Sequence, residues 1–327
     1  MPSSAPPSLH HHSCHNHTHN HHGHHHAHVP TSFGKAFVLG ISANAAYLIV
    51  EALWGVFSHS LSLLADAGHN FFDVITLGAA WLANYLSHKK PSALFTYGLC
   101  RFSILVAFVN ALVLVIVAGS IVCVAVPRLL NPITPLPTER SMMIVAALGI
   151  MVNGASAMLF SSGQKDELNI RGVFLHMLFD ALSSFSVVIA GGLILLTGFH
   201  WIDPALSLII AGVIGFGSWS LLKESLHMTL DAVPKKINAH GLRTYLREIP
   251  GIIDFHALHI WPISTTETAL TVHLVRPSVP LTPQEETKLL GDVVSTLHQR
   301  FGIAHSTVQI ETQDYAPFCH LTLSHTV

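Results

Sequence analysis

Six apolar segments set the main constraint on how this chain can fold, because each is long enough to cross a lipid bilayer as a helix. The hydrocarbon core of a bilayer takes about 20 helical residues. The segments are Phe37–Phe57, Leu61–Leu86, Phe102–Val126, Met142–Phe160, Gly172–Leu196 and Pro204–Leu222. Charged residues make up only 10% of the chain, whereas soluble domains carry about 25%. The sequence therefore predicts an α-helical membrane protein with six transmembrane helices embedded in a lipid bilayer.

The loops between these segments differ in their basic residues. The loops after helices two, four and six carry Lys89, Lys90, Arg101, Lys165, Arg171, Lys223, Lys235 and Lys236. The loops after helices one and five carry no Lys or Arg, and the loop after helix three carries only Arg128 and Arg140. Because basic loops stay on the cytoplasmic side of a membrane, we expect both termini to lie in the cytoplasm.

A small soluble domain is expected after the last apolar segment. We divide the chain into a disordered His-rich tail (1–32), the transmembrane domain (33–222), the soluble domain (223–318) and a C-terminal tail (319–327). Two amphipathic segments and three alternating segments give the order α-β-β-α-β, at Ile237–Glu248, Ile252–Ile260, Thr268–Arg276, Pro283–Phe301 and Ala304–Glu311. This order predicts a ferredoxin-like α+β domain, and its small size favours dimerisation.

Helices two and five each contain a His-x-x-x-Asp pair, His69/Asp73 and His176/Asp180. Residues four apart lie on one helical face, so each helix can present an imidazole nitrogen and a carboxylate oxygen at one point. Four such donors match the number and type of ligands that zinc accepts. An aspartate in the middle of a membrane span costs about 2.5–3.5 kcal/mol on insertion scales. The repeated pair predicts a divalent metal site between the two helices, and hydrogen bonds that only pack the helices are the competing interpretation.

Histidines and cysteines elsewhere in the chain give weaker signals. Twelve of the 26 histidines fall between His10 and His28, and imidazole is a common metal ligand. We interpret this tail as a weak metal collector, with a plain solvated tail or a purification tag as the alternatives. The four cysteines have no CxxC spacing, which gives no disulfide framework or zinc finger. The sequence assigns no role to Cys100, Cys319 or His320, and a net charge of −2 argues against a nucleic-acid partner.

The soluble domain also carries histidines on its predicted strands, His256, His259, His273 and His305. Strict alternation places His256 on the same face as Leu258 and Ile260. A structural histidine and a metal ligand are both open interpretations, and His256 is the strongest ligand candidate of the four.

The chain resembles the cation diffusion facilitator family, in particular its bacterial zinc-exporting branch. The resemblance lies in SLSLLADAGHNFFDV in helix two, NIRGVFLHMLFDALSS into helix five, WIDPALSLII and LLKESLHMTLDAVP in and after helix six, and IPGIIDFHALHIW and FGIAHSTVQIE in the soluble domain. It extends from helix one to about Glu311.

This resemblance implies a transporter and not an enzyme. It implies a homodimer, joined through its cytoplasmic domain, that exchanges cytoplasmic zinc for protons across a bacterial inner membrane. The implied transport site is His69, Asp73, His176 and Asp180. The cytoplasmic domain would be metallochaperone-like and bind zinc as a regulatory ion, with His227, His256 and Glu311 as candidate ligands. Family members with Asp in place of the first His tolerate cadmium better, so His69 favours zinc.

Three alternatives remain at this point. The transported cation could be cobalt, nickel, iron or cadmium, because His and Asp ligands suit several of these metals. An intramembrane metalloenzyme is a second alternative, although the chain has no HExxH motif. The third is a membrane-tethered metal sensor or buffer that does not transport and uses only the His-rich tail and the soluble domain.

Overall fold

The computed structural model describes residues 33–57, 61–130 and 140–319. Six long helices come first: α1 (Phe33–Phe57), α2 (Leu61–Ser87), α3 (Phe102–Leu130), α4 (Arg140–Phe160), α5 (Leu168–Thr197) and α6 (Ile202–Thr229). Within the described residues, all of these except α2 are both long and apolar enough to cross a membrane. Helix α2 has the length, 27 residues, but its polar face lowers its mean hydropathy. The predicted helical membrane domain is confirmed, and its least apolar helix carries one of the two His-x-x-x-Asp pairs.

Several helices extend beyond the predicted apolar segments, most clearly at the starts of α1 and α5 and at the ends of α3 and α6. Helix α5 begins at Leu168, four residues before the predicted start, because the Glu167 side chain caps it by accepting hydrogen bonds from two backbone N–H groups. Helix α6 runs to Thr229 and not to Leu222, since a helix continues beyond the bilayer wherever its residues favour it. The polar last turns of α6 carry Glu224 and His227.

Buried polar side chains join the helices of the bundle at specific points. The Asn44 side chain on α1 donates to Ser156 Oγ on α4 at 2.9 Å. The Asn169 side chain, in the first turn of α5, donates to the backbone carbonyl of Ala80 on α2 at 3.0 Å. Hydrogen bonds between helices hold membrane proteins together where the lipid offers no competing partner. The second bond fixes the relative position of the two helices that carry the paired His and Asp residues.

The soluble part contains α7 (Ala239–Arg247), β1 (Asp254–Pro262), β2 (Thr268–Arg276), α8 (Pro283–Phe301), β3 (His305–Thr312) and a 3₁₀ turn, Ala316–Phe318. The sheet order is β1-β2-β3, with β1 antiparallel to β2 and β3 parallel to β2. The parallel pair is joined by the crossover helix α8, as parallel pairing requires. The predicted α-β-β-α-β order of a small α+β domain is confirmed.

One face of this sheet packs against the two helices. Leu270, Val272 and Leu274 of β2 form a core with Leu242 of α7 and Leu297 of α8, and all five are buried. Because strand residues alternate between faces, Thr271, His273 and Val275 lie on the other face. That second face carries the ionisable side chains described below.

A β-bulge on β1 changes which side chains share a face. Cα partners run from His256↔His273 to His259↔Thr271, so β1 has one more residue than β2 between these pairs. Ala257, inside the bulge, has a φ of 49°, a left-handed conformation that a non-glycine residue adopts only under constraint. The prediction that His256 shares a face with Leu258 and Ile260 was wrong, since those two pack into the core while His256 pairs with His273 on the opposite face.

Candidate metal centres

The two His-x-x-x-Asp pairs meet between α2 and α5. Nε2 of His176 lies 2.9 Å from Oδ1 of Asp73 and 3.6 Å from Oδ2 of Asp180. Nε2 of His69 lies 3.6 Å from Oδ1 of Asp180 and 4.0 Å from Oδ1 of Asp73. Donor atoms about 2.0–2.1 Å from a tetrahedral zinc ion lie about 3.3 Å from one another. His69, Asp73 and Asp180 each offer a donor atom within 4.8 Å of the others, and Nε2 of His176 contacts both carboxylates.

This cluster lies in the protein interior, with one side more open than the other. The Asp73 and His176 side chains are 1% and 4% exposed, while His69 is 43% exposed. Oδ2 of Asp73, Oδ2 of Asp180 and Nδ1 of His176 are buried and make no hydrogen bond within the described residues. Unpaired buried polar atoms are costly, and a bound divalent cation would satisfy the carboxylate oxygens.

A neighbouring contact supports α2 beside this cluster. Asn70 follows His69 directly, and its side chain donates to Oε2 of Glu51 on α1 at 2.6 Å. Glu51 and Asn70 are both buried. The sequence gives no indication of this bond, because the partner of Glu51 on α2 depends on how the helices pack.

A second cluster of potential ligands lies on the open face of the soluble domain's sheet. Nδ1 of His273 lies 2.7 Å from Oε1 of Glu311, and Nε2 of His256 lies 3.3 Å from Oε2 of Glu311. Sγ of Cys319 lies 3.5 Å from Nδ1 of His273. One donor atom from each of the four residues lies within 4.8 Å of the others. Two imidazoles, a carboxylate and a thiol form a donor set that suits zinc.

Two observations on the second cluster fit a metal ion. Oε2 of Glu311 and Nε2 of His256 are buried without a hydrogen bond within the described residues, although Gln309 donates to Oε1 of the same carboxylate at 2.7 Å. The β1 bulge also directs His256 towards His273, with ring centroids 5.0 Å apart. Bulges commonly re-aim a side chain at a binding site.

The sequence proposed three ligands in the soluble domain, and the structure brings two of them together but not the third. It brings His256 and Glu311 together and adds His273 and Cys319, which sequence reasoning did not assign as ligands. His227 lies exposed in the last turn of α6 and is in neither cluster of described residues. Strand alternation around His273 could have identified this residue as a member of the cluster. No sequence signal indicates that the chain after β3 folds back and brings Cys319 to it. His320 and the tail from His10 to His28 lie outside the described residues.

The soluble domain contacts one end of the helix bundle. Arg101, just before α3, forms a 2.9 Å ion pair with Asp231, which follows α6. The Tyr97 and His305 rings meet edge to face, with centroids 5.8 Å apart. Cys100 lies in the same loop and donates from its thiol to the backbone carbonyl of Ser87, and burial raises the pKa of this thiol. The basic loops after α2 and α4 are at this end, on the same side as the soluble domain.

The sequence matches two family models that together cover both parts of the molecule. Residues 37–228 match the cation efflux transmembrane domain, and residues 225–313 match the cytoplasmic domain of cation efflux proteins. The chain belongs to the cation efflux, or cation diffusion facilitator, family. It is accordingly an integral membrane transporter of cations and not an enzyme.

Curated members of the cation efflux family are similar to this chain over most of their length. A Bacillus subtilis (strain 168) protein named "Cadmium, cobalt and zinc/H(+)-K(+) antiporter" is 34% identical over 85% of this chain and 89% of its own. The zinc transporter ZitB of Escherichia coli (strain K12) is 34% identical over 88% of this chain and 90% of its own. The solved metal-bound C-terminal domain of the CzcD transporter from Cuprividus metallidurans is 31% identical and covers 23% of this chain and 99% of its own, with a TM-score of 0.21.

Proposed function

We propose that this cation efflux protein exports zinc from the cytoplasm in exchange for protons, and that His69, Asp73, His176 and Asp180 form its transport site. The observation that carries the proposal is the convergence of two imidazoles and two carboxylates from α2 and α5, at separations of 2.9–4.0 Å. The names of these relatives support zinc as the cargo and protons as the exchanged ion.

The chemistry of the donor set couples metal to protons. Zinc binds neutral imidazole and ionised carboxylate, so loading from the cytoplasm releases protons and protonation expels the metal. Imidazole is the side chain that most commonly exchanges protons in the physiological pH range, so histidine ligands suit a site that couples metal to protons. An acidic exterior then favours zinc release and returns a protonated carrier, so that the inward proton gradient drives export.

Orientation and location complete the proposal. We place the soluble domain and both termini in the cytoplasm of a bacterial cell, with the bundle in the inner membrane. The contact between Arg101 and Asp231 puts the basic loops and the soluble domain at one end of the bundle, as the positive-inside rule requires of a cytoplasmic end. The bacterial origin of the relatives supports the choice of membrane. The boundary between the transmembrane and soluble domains near residue 222 stays a prediction. Helix α6 continues past this position to Thr229.

We also propose a regulatory zinc site at His256, His273, Glu311 and Cys319. The support is the set of four donor atoms within 4.8 Å and the two buried atoms there that lack hydrogen bonds. When bound, zinc would join β1, β2, β3 and the segment after β3 through one ion. Assembly of two copies through the cytoplasmic domain is part of the same proposal, and the family model named for this domain as a dimer unit supports it.

The experiment that tests the transport proposal is zinc uptake into proteoliposomes with an imposed pH gradient. The wild type should accumulate zinc and dissipate the gradient together, whereas Asp180→Ala should do neither. Asp292→Ala, which removes an exposed carboxylate on α8, is the matched control and should match the wild type. Zinc accumulation by Asp180→Ala at the wild-type rate would contradict the site, and competition by cobalt, nickel, iron and cadmium would rank the cations.

A further inference from the structure

The first three residues of the turn between β1 and β2 are buried, although the turn joins two strands of a small domain. Residues 263–267 form this turn, and Ile263, Ser264 and Thr265 are 2%, 5% and 7% exposed. Loops normally lie on the surface of a protein. The turn is covered because it is inserted against the helix bundle.

Hydrogen bonds inside the turn make it rigid. The Ser264 hydroxyl accepts from the backbone N–H groups of Thr266 at 3.1 Å and Glu267 at 2.9 Å. The Ile263 N–H donates to the Glu267 carbonyl at 2.9 Å. A side-chain bond from Lys236, which follows α6, to the Thr266 carbonyl adds a further restraint. These bonds fix the conformation of the turn that joins β1 to β2.

Thr265 connects this rigid turn to two transmembrane helices. Its hydroxyl donates to Oε1 of Glu167 at 2.7 Å, and its backbone N–H donates to Ser103 Oγ, near the start of α3, at 3.3 Å. Hydrogen bonds to a charged group are stronger than those between neutral groups. Burial raises the pKa of Glu167, and the donated bonds from Thr265, Ile170 and Asn169 oppose this rise.

Glu167 is at the same time the N-cap of α5. Its two carboxylate oxygens accept from the backbone N–H groups of Asn169 at 3.0 Å and Ile170 at 2.8 Å. His176 follows nine residues later on this helix, about 13 Å along its axis, and Asp180 follows one turn beyond. A displacement of the first turn of α5 is therefore passed to both ligands that this helix supplies.

We infer that Thr265 and Glu167 are positioning residues for transport, through which the soluble domain holds α5 so that His176 and Asp180 meet the ligands of α2. This inference rests on the proposed transport site. Neither residue contacts the cation, and both act through the position of a helix. Metal-site geometry tolerates little displacement, so a loose support of the ligand-bearing helix weakens metal binding.

The test compares Thr265→Val with Thr265→Ser in full-length protein reconstituted into proteoliposomes. Valine removes the hydroxyl at nearly constant size, while serine keeps it. We expect Thr265→Val to raise the KM for zinc about three- to tenfold and Thr265→Ser to keep the wild-type KM. Thr296→Val on α8, whose hydroxyl donates to the Asp292 carbonyl of its own helix, is the control and should leave the KM unchanged.

The result separates positioning from a merely structural role. A structural role would lower the amount of folded transporter, and hence the maximal rate, without changing the KM. An unchanged KM in Thr265→Val, or an equal rise in Thr265→Ser, overturns the inference. Glu167→Gln provides a second variant, which keeps a capping oxygen but loses the charge, and it should raise the KM in the same direction. A wild type that moves no zinc would instead refute the proposed function itself.

Discussion

Nε2 of His176 on α5 lies 2.9 Å from Oδ1 of Asp73 on α2, although 103 residues separate them in the chain. Each of these two residues also has a partner four positions away on its own helix, Asp180 and His69 respectively. The cross-helix contact brings the two sequence motifs together in one cluster. The account of this transporter depends on that cluster.

Replacing Asp73 by Asn should remove most zinc binding at the transport site. The amide keeps the size of the carboxylate but loses its charge and one metal-binding oxygen. Since disturbing groups that merely support a ligand costs 10–100-fold in metal affinity, we expect a loss of about a hundredfold or more. Calorimetric titration of the purified full-length protein measures this, with Asp292→Asn on the exposed face of α8 as the control. Near wild-type affinity in Asp73→Asn would exclude Asp73 as a ligand.

Replacing Asn169 by Ala should loosen the contact between α2 and α5. The variant loses the bond from the Asn169 side chain to the Ala80 carbonyl and leaves that carbonyl without this donor. We expect a stability loss of about 1 kcal/mol, the usual net value of such a bond, seen in the thermal unfolding of the detergent-solubilised protein. Ser120→Ala removes an exposed hydroxyl that bonds within its own helix and should change stability by less. Equal effects in the two variants would contradict the role of Asn169.

Cys319 should bind metal through sulfur in the cytoplasmic cluster. Cobalt-loaded wild-type protein is expected to show a sulfur-to-metal charge-transfer band, because the Cys319 thiol lies 3.5 Å from His273. The band should disappear in Cys319→Ser. It should persist in Cys123→Ser, which changes an exposed cysteine on α3. Loss of the band in both variants, or in neither, would show that Cys319 does not bind the ion.

The start of α8 should lose stability as the pH falls. The backbone N–H and the hydroxyl of Thr282 donate to the Glu285 carboxylate, which holds the pKa of Glu285 below its ordinary value. A carboxylate with a depressed pKa stabilises the fold above its unfolded pKa, about 4.3, and the stabilisation is lost as the pH falls through the folded pKa. Hydrogen exchange of the first turn of α8 should therefore speed up at acidic pH, after correction for intrinsic rates. In Glu285→Gln this extra acid dependence should be absent, and its persistence would assign it to another group.

The parts of the fold set by local patterns could be predicted from the sequence. Strand β2 and helix α8 have the predicted bounds, Thr268–Arg276 and Pro283–Phe301. Alternation defines the strand, and a capping box with Pro283 in the first turn defines the start of the helix. The proposed transport site on α2 and α5 could be predicted equally well, because i,i+4 spacing fixes which residues share a helical face.

The remaining features depend on tertiary contacts that local patterns do not encode. The bulge at Ala257 shifts His256 to the other face of the sheet, and alternation alone has no signal for an inserted residue. Cys319 joins its cluster only because the chain folds back after β3. The bond between Thr265 and Glu167 joins residues 98 positions apart in different parts of the protein, and neither residue type is unusual where it stands.

The most direct measurement of the central claim is a zinc-soaked crystal structure of the full-length protein with anomalous data on both sides of the zinc absorption edge. We predict an anomalous peak between α2 and α5, about 2.0–2.2 Å from donor atoms of His69, Asp73, His176 and Asp180. Zinc bound only at the cytoplasmic cluster, with no peak within bonding distance of these four side chains, would contradict it.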